Sequence, residues 1–157
     1  MLTSESIAPD LELVDTAGQP WRLSDKPGMR GTLLYFMRST SCAICNRHVR
    51  DLVANRADFD AEGIRVAIVV PEERTAGLAW KTERGIPFPV LTGPTGSPHE
   101  SVGLTRRLFG SMQQSGTVLV DGQGIVRHAH GATMPTGSYD KKGITAAIDA
   151  MLDRANS

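Results

Sequence analysis

The chain carries two cysteines, Cys42 and Cys45, separated by Ala43 and Ile44. Two thiols three positions apart at the start of a helix can cycle between dithiol and disulfide. The free N–H groups and the positive dipole end of a helix N-terminus stabilise a thiolate. The thiolate is the nucleophile of sulfur chemistry, and a second thiol one turn on can close the bridge. Two other chemistries compete for the pair. Cysteine is among the most buried residue types, so the two can simply be packing. Zinc wants four ligands. His48 lies three residues after Cys45 and His128 and His130 alternate on what reads as one strand, but no third cysteine exists. Asn46 stands where covalent haem attachment needs a histidine. The ligand count argues against a metal site, and no cofactor is expected. The redox reading fits best, with Cys42 attacking and Cys45 resolving. Cys42 sits at or just before the first turn, where thiolate stabilisation is greatest. Cys45 joins an apolar stripe with Val49, Leu52 and Val53, and apolar burial raises a thiol pKa.

The elements that must position the pair follow from periodicity. Residues 11–15 alternate as a half-buried strand does, and residues 21–24 return after the turn at residues 16–20, giving an N-terminal hairpin. Residues 26–31 read as a loop. Residues 32–37 are apolar on both faces, as in a central strand. After Cys42 the period changes to that of a helix. Cys45, Val49, Leu52, Val53 and Phe59 form one stripe, Asn46, Arg47, Arg50, Asp51 and Asn55 take the other side, and Gly63 ends the segment. Residues 64–70 are a second central strand. Residues 72–83 fit a helix that stops at Gly85, with Trp80 as a core or groove-lining residue. Residues 86–91 form a short strand entered through prolines, and residues 92–98 a loop. Residues 101–109 look helical, with Val102 and Leu108 inward and Gly110 as the stop. Residues 117–121 and 125–129 flank Gly122-Gln-Gly124 as a second hairpin. Ile144, Ala147, Ile148, Met151 and Leu152 mark an amphipathic C-terminal helix. Strands alternating with helices predict an α/β protein, and the late hairpin makes its sheet mixed. The cysteines then fall at the carboxyl end of a central strand, where open α/β sheets place their sites.

The whole-chain numbers exclude several classes. The 157 residues suit one domain with a full core. Residues 1–10 are expected to be a flexible lead-in and residues 11–157 a single domain. Lys+Arg and Asp+Glu are both 17, so there is no basic excess for nucleic acid. The pairs Arg106-Arg107 and Lys141-Lys142 are too short for a basic patch. No apolar run is long enough to span a bilayer. Residues 1–10 lack a basic and an apolar signal region, so the expected location is the cytoplasm, where a vicinal thiol pair is more often catalytic than structural.

Three further pieces carry a family resemblance. Ala8-Pro-Asp-Leu11 with Leu13-Val-Asp-Thr-Ala-Gly18, Phe88-Pro-Val-Leu-Thr92, and Gly116-Thr-Val-Leu-Val-Asp-Gly-Gln-Gly-Ile-Val-Arg127 surround the cysteines in fixed order. In that order and spacing the chain resembles the peroxiredoxins of the alkyl hydroperoxide reductase/thiol-specific antioxidant group. The resemblance implies a thioredoxin-like fold and a thiol-dependent oxidoreductase that reduces peroxides or protein disulfides. It also implies a thioredoxin- or glutaredoxin-type reductant, and it allows a homodimer. The family's Pro-x-x-x-Thr/Ser-x-x-Cys would put the peroxidatic sulfur at Cys45, with Cys42 at the hydroxyl position and Arg38 at the proline. Set on Cys42 instead, it puts Ser39 at the hydroxyl and Tyr35 at the proline. Ser115 stands where the family arginine, or the cis-proline of disulfide reductases, would be. Arg38 is the candidate replacement cation, against an exposed strand-end arginine. Ser39, Thr40 and Ser41 cap the helix or bond a thiolate or peroxide oxygen. His48 reads as a solvated helix-face histidine, with thiolate support as its other role. A non-catalytic redox sensor or binding module is the alternative to an enzyme.

Overall fold

A computed structural model describes residues 5–9, 11–23, 30–93, 98–102, 104, 106–107, 112–132 and 139–155. The fold is built on β3 (Gly31–Phe36), every residue of which is buried. Its alternation feeds two cores. Leu33 and Tyr35, with Met37 just beyond, face α1 (Ala43–Ala54) and α4 (Lys141–Ala155), packing with Val49, Leu52, Ile144 and Ile148. Leu34 and Phe36 face the other side, against Leu11, Leu13, Val102 and Leu104. Each such aliphatic or aromatic side chain removed from water is worth about 1.5–3 kcal/mol, so a strand buried on both faces is held firmly in place.

Around β3 lies a seven-stranded mixed sheet. β1 (Leu13–Asp15) and β2 (Pro20–Trp21) form the first hairpin, shorter than the alternation predicts. Its turn is held by Asp15, whose Oδ1 accepts from the Ala17 and Gln19 N–H groups at 2.9 Å each. After α1 comes the short α2 (Arg56–Ala61), then β4 (Ile64–Val69), which runs parallel to β3. The stripe through Phe59 is thus two helices, not one. They part at Asn55, and Gly63 ends the pair with φ +73°. α3 (Arg74–Arg84) starts two residues later than expected and closes on left-handed Gly85. β5 (Val90–Thr92) pairs parallel to β4 and antiparallel to β1. Pro87 and Pro89 have no N–H to give a ladder, and the strand starts only beyond them.

The expected helix over residues 101–109 is not what forms. A 3₁₀ turn runs over Pro98–Val102, and Arg106–Arg107 (β6) pairs antiparallel with Met112–Gln113 (β7). Tertiary anchoring overrides helical spacing here. His99 is fully buried, donates through Nε2 to the Met37 carbonyl at 2.7 Å and packs edge-on against Phe36. Leu108, Phe109 and Gly110 lie outside the described residues, as do parts of the two expected loops. β8 (Ser115–Asp121) pairs antiparallel to β3, and β9 (Val126–Ala132) completes a second hairpin longer than expected. The lead-in also differs from expectation. Residues 5–8 pair with this hairpin, through Glu5 N–H to the Val126 carbonyl at 2.7 Å and Ala8 N–H to the Gly124 carbonyl at 2.8 Å. Arg127 ties Glu5 and Asp121 together. No helix among the described residues is long and apolar enough to cross a membrane.

Candidate active site

β3 ends at Phe36, and Met37 N–H still donates to the Val69 carbonyl at 2.9 Å. The chain then turns through residues 38–41 into α1, whose N-cap is Cys42 with φ −69° and ψ 114°. The cap is therefore a sulfur. Cys42 Sγ accepts the Cys45 N–H at 3.3 Å, the bond that a serine or threonine cap normally makes. The hydroxyl run expected to cap does other work. Ser39 and Ser41 bond each other at 3.1 Å. Thr40 donates through both N–H and Oγ1 to Glu72 Oε2 at 2.9 Å each, fastening the turn to the loop after β4.

The two cysteines approach to 3.0 Å, so closing a disulfide needs little movement. They differ in access. Cys42 keeps 8% exposure, less than an open thiol at a helix start, while Cys45 has none. Burial pushes the Cys45 thiol up to about 11, with its bond to Cys42 adding to the rise. Two donors pull the other way: the Arg38 backbone N–H, 3.5 Å from Cys45 Sγ, and the Tyr35 hydroxyl.

Arg38 thus meets the site through its backbone. Its half-buried guanidinium makes no bond with another described residue. Ser39 is half-buried at the mouth of the turn. His48 is not a solvated helix-face residue. It is half-buried, its Nδ1 lies 2.8 Å from the Tyr35 hydroxyl, and burial first, then Arg47, lowers its pKa. Ser115 is fully buried at the neighbouring end of β8, its hydroxyl without a partner among the described residues, where no cis peptide occurs. His128 and His130 lie on β9 with ring centroids 6.3 Å apart. Among the described residues no cluster of three or more His, Cys, Asp or Glu could hold a metal ion.

Periodicity missed the residue that holds the turn. Asn46 falls on the polar side of the α1 wheel, yet it is 5% exposed. Its Nδ2 donates to the Thr40 carbonyl at 2.9 Å and the Cys42 carbonyl at 2.8 Å, and its Oδ1 accepts from Trp80 Nε1 at 2.8 Å. A polar amide beside Cys45 at four residues from Cys42 is the one signal the sequence offers for this tie. Trp80 is accordingly both core and clamp.

Comparisons with known proteins agree with this geometry. A profile of the AhpC/TSA family matches residues 5–129. Among solved structures, the peroxidoxin BcpB of Mycobacterium tuberculosis superposes with a TM-score of 0.78 at 16% identity, covering 98% of each chain. The 2-Cys peroxiredoxin of Plasmodium vivax gives 0.73 at 21% identity, over 98% of this chain and 99% of that one. Peroxiredoxin Q of Xanthomonas campestris gives 0.74 at 17% identity, over 97% and 99%. The thioredoxin-like peroxiredoxin fold is shared with all three. No curated protein matches the chain.

Proposed function

The chain belongs to the AhpC/TSA family and is a thiol-dependent oxidoreductase, and from that premise we propose that it reduces peroxides with Cys42 as the first nucleophile and Cys45 as the resolving thiol. The observation that carries the assignment is the asymmetry of the two sulfurs. Cys42 is the helix cap, receives a backbone N–H and keeps a sliver of exposure. Cys45 is sealed and its thiol is pushed up to about 11. A thiol with that pKa is a poor first nucleophile at neutral pH.

In the first step the Cys42 thiolate attacks one peroxide oxygen. The S–O bond forms, the O–O bond breaks, and the departing alkoxide or hydroxide takes a proton to leave as alcohol or water. Cys42 is now a sulfenic acid. In the second step Cys45 attacks the Cys42 sulfur. The S–S bond forms, the S–O bond breaks, Cys45 gives up its proton, and hydroxide leaves Cys42 to be protonated to water. A thioredoxin- or glutaredoxin-type dithiol then attacks the Cys42 sulfur, the one of the pair that solvent reaches, and restores both thiols. Arg38 and Ser39, at the lip of the turn, are the proposed contacts of the peroxide oxygens. The AhpC/TSA match supports a peroxide over a protein disulfide as the substrate. The cycle needs a compartment that keeps its reductant reduced, which makes the cytoplasm the proposed location.

The test is peroxide consumption with a dithiol reductant. Turnover well beyond one equivalent is expected for the wild type and none for Cys42→Ser, while Cys45→Ser should stop after one equivalent with a trappable sulfenic acid on Cys42. Stoichiometric oxidation without turnover would make the protein a sensor. A sulfenic acid on Cys45 in the Cys42→Ser variant would reverse the two roles.

A further inference from the structure

The second step poses a problem that the fold answers. Burial raises the Cys45 thiol pKa, so little of the attacking thiolate is present at neutral pH. A sealed sulfur also has no water to take its proton. The Tyr35 hydroxyl meets this sulfur and lies 2.8 Å from His48 Nδ1. Tyr35 is fully buried on the face of β3 under α1. Cys45 and His48 are three apart on that helix, the spacing that makes side chains neighbours. A line of exchangeable protons thus runs from the sealed sulfur to a half-buried imidazole.

We propose that Tyr35 and His48 are a proton relay for Cys45, in which the Tyr35 hydroxyl takes the thiol proton as it passes its own to His48 Nδ1. The proposal rests on the reading that Cys45 resolves a sulfenic acid on Cys42. The balance is complete. The Cys45 proton ends on His48, the resulting thiolate forms the S–S bond, hydroxide leaves Cys42 and is protonated by solvent, and the imidazolium returns its proton to solvent. His48 must begin neutral with Nδ1 as acceptor, which places its own proton on Nε2. The surroundings fit that state. Arg47 on the same helix opposes a positive imidazole, and Asp51 favours it. Asp51, however, already accepts from the Tyr139 hydroxyl at 2.7 Å and from Lys141 at 3.4 Å. From the segment before α4 the Tyr139 ring covers His48 at 5.0 Å, and from β3 the Tyr35 ring lies at 5.7 Å. Cys45 itself is faced by Cys42, the Arg38 N–H and Tyr35. Tyr35 touches the reacting sulfur and is a catalytic residue of the second step. His48 acts through it and is a positioning residue.

Single-turnover experiments on the reduced full-length protein separate the steps. A dimedone-type probe reads the Cys42 sulfenic acid, and intact mass reads the disulfide. Wild-type disulfide formation should fall at acid pH, with a midpoint below the usual histidine value, as His48 becomes charged. Tyr35→Phe should slow disulfide formation by about 10²-fold while sulfenic acid accumulates. His48→Gln, which can still bond Tyr35 but cannot titrate, should slow it by roughly tenfold and abolish the acid limb. Sulfenic acid that forms on Cys42 and decays with the wild-type rate and pH profile in both variants would overturn the relay and leave the proposed function standing. A wild type that forms no sulfenic acid on Cys42 would overturn that function instead. The relay is then read in Cys42→Ser protein, where Tyr35→Phe should slow iodoacetamide alkylation of Cys45 by about tenfold or more, and an unchanged rate refutes it. Should Tyr35→Phe fail to fold, His48→Gln and the wild-type acid limb decide alone, and a flat wild-type profile refutes the relay.

Discussion

Replacing Asn46 by alanine tests whether the CxxC turn is held from behind by one buried amide. The substitution deletes three hydrogen bonds: two from Nδ2 to the Thr40 and Cys42 carbonyls and one from Trp80 Nε1 to Oδ1. They do not weigh equally. The Cys42 carbonyl still accepts the Asn46 backbone N–H at 3.0 Å, so it is not orphaned. Trp80 is 5% exposed, and its indole N–H would be left buried without a partner. An orphaned buried donor costs about 1–3 kcal/mol, and each ordinary bond lost costs about 0.5–1.5 kcal/mol. Alanine returns up to about 0.7 kcal/mol of helix propensity. The expected net loss is about 3 kcal/mol, or a fall in Tm of about 6–12 °C for a chain of this size. Calorimetry reads the shift directly. Trp80→Phe provides the internal control, because it removes the donor that Asn46→Ala would orphan. In that background Asn46→Ala should cost at least about 1 kcal/mol less. A Tm change under about 2 °C, or strict additivity of the two substitutions, would refute the tie. Slower peroxide turnover in Asn46→Ala should accompany the lower Tm, since the carbonyls it holds set the turn around Cys42.

Three further expectations follow from the same geometry. The folded-state pKa of Cys45 is raised, so the neutral thiol favours folding at pH below the unfolded value of 9.0, and that contribution is lost as pH rises towards about 11. Wild type should therefore lose about 2–3 kcal/mol more than Cys45→Ala across that window in urea melts, and parallel curves would disprove the burial of the thiol. Gly116→Ala places a Cβ 2.6 Å from the His130 carbonyl and 3.0 Å from Gly131 Cα. Backbone cannot yield as a side-chain tip does, so a loss of about 1–3 kcal/mol is expected, and an unchanged urea midpoint would contradict the β8–β9 register. Glu72→Ala removes the carboxylate oxygen that accepts both Thr40 donors. Bonds to charged acceptors are worth about 1.5–3 kcal/mol each, so even with water replacing one of them the urea midpoint should drop clearly, whereas Glu72→Gln should recover part of the loss through its amide oxygen.

The sequence alone located the chemistry and most of its frame. Two cysteines at i and i+3, an apolar strand before them and a period of 3.6 after them identify a strand–turn–helix site, because backbone hydrogen bonding admits few periods and both are local. The sealing of Cys45 was legible for the same reason, since its stripe with Val49 and Leu52 had to face the sheet. What the sequence could not decide depends on contacts between distant segments. Residues 101–109 have helical spacing, but just before them His99 reaches across to the carbonyl that follows β3 and fixes a 3₁₀ turn over Pro98–Val102. Asn46 and His48 read as polar helix-face residues on a wheel, and only the approach of Trp80 from α3 and Tyr35 from β3 turns them inward. A helical wheel records direction around one axis and holds no information about what lies beside it. The cap shows the same limit. Serine and threonine precede the helix and have the intrinsic preference for capping, yet Glu72, some thirty residues on in the chain, draws Thr40 away and leaves the cap to the sulfur of Cys42. Local periodicity sets which residues can be near the site; tertiary packing decides which polar groups are buried there, because only burial makes an unpaired donor costly enough to fix its partner.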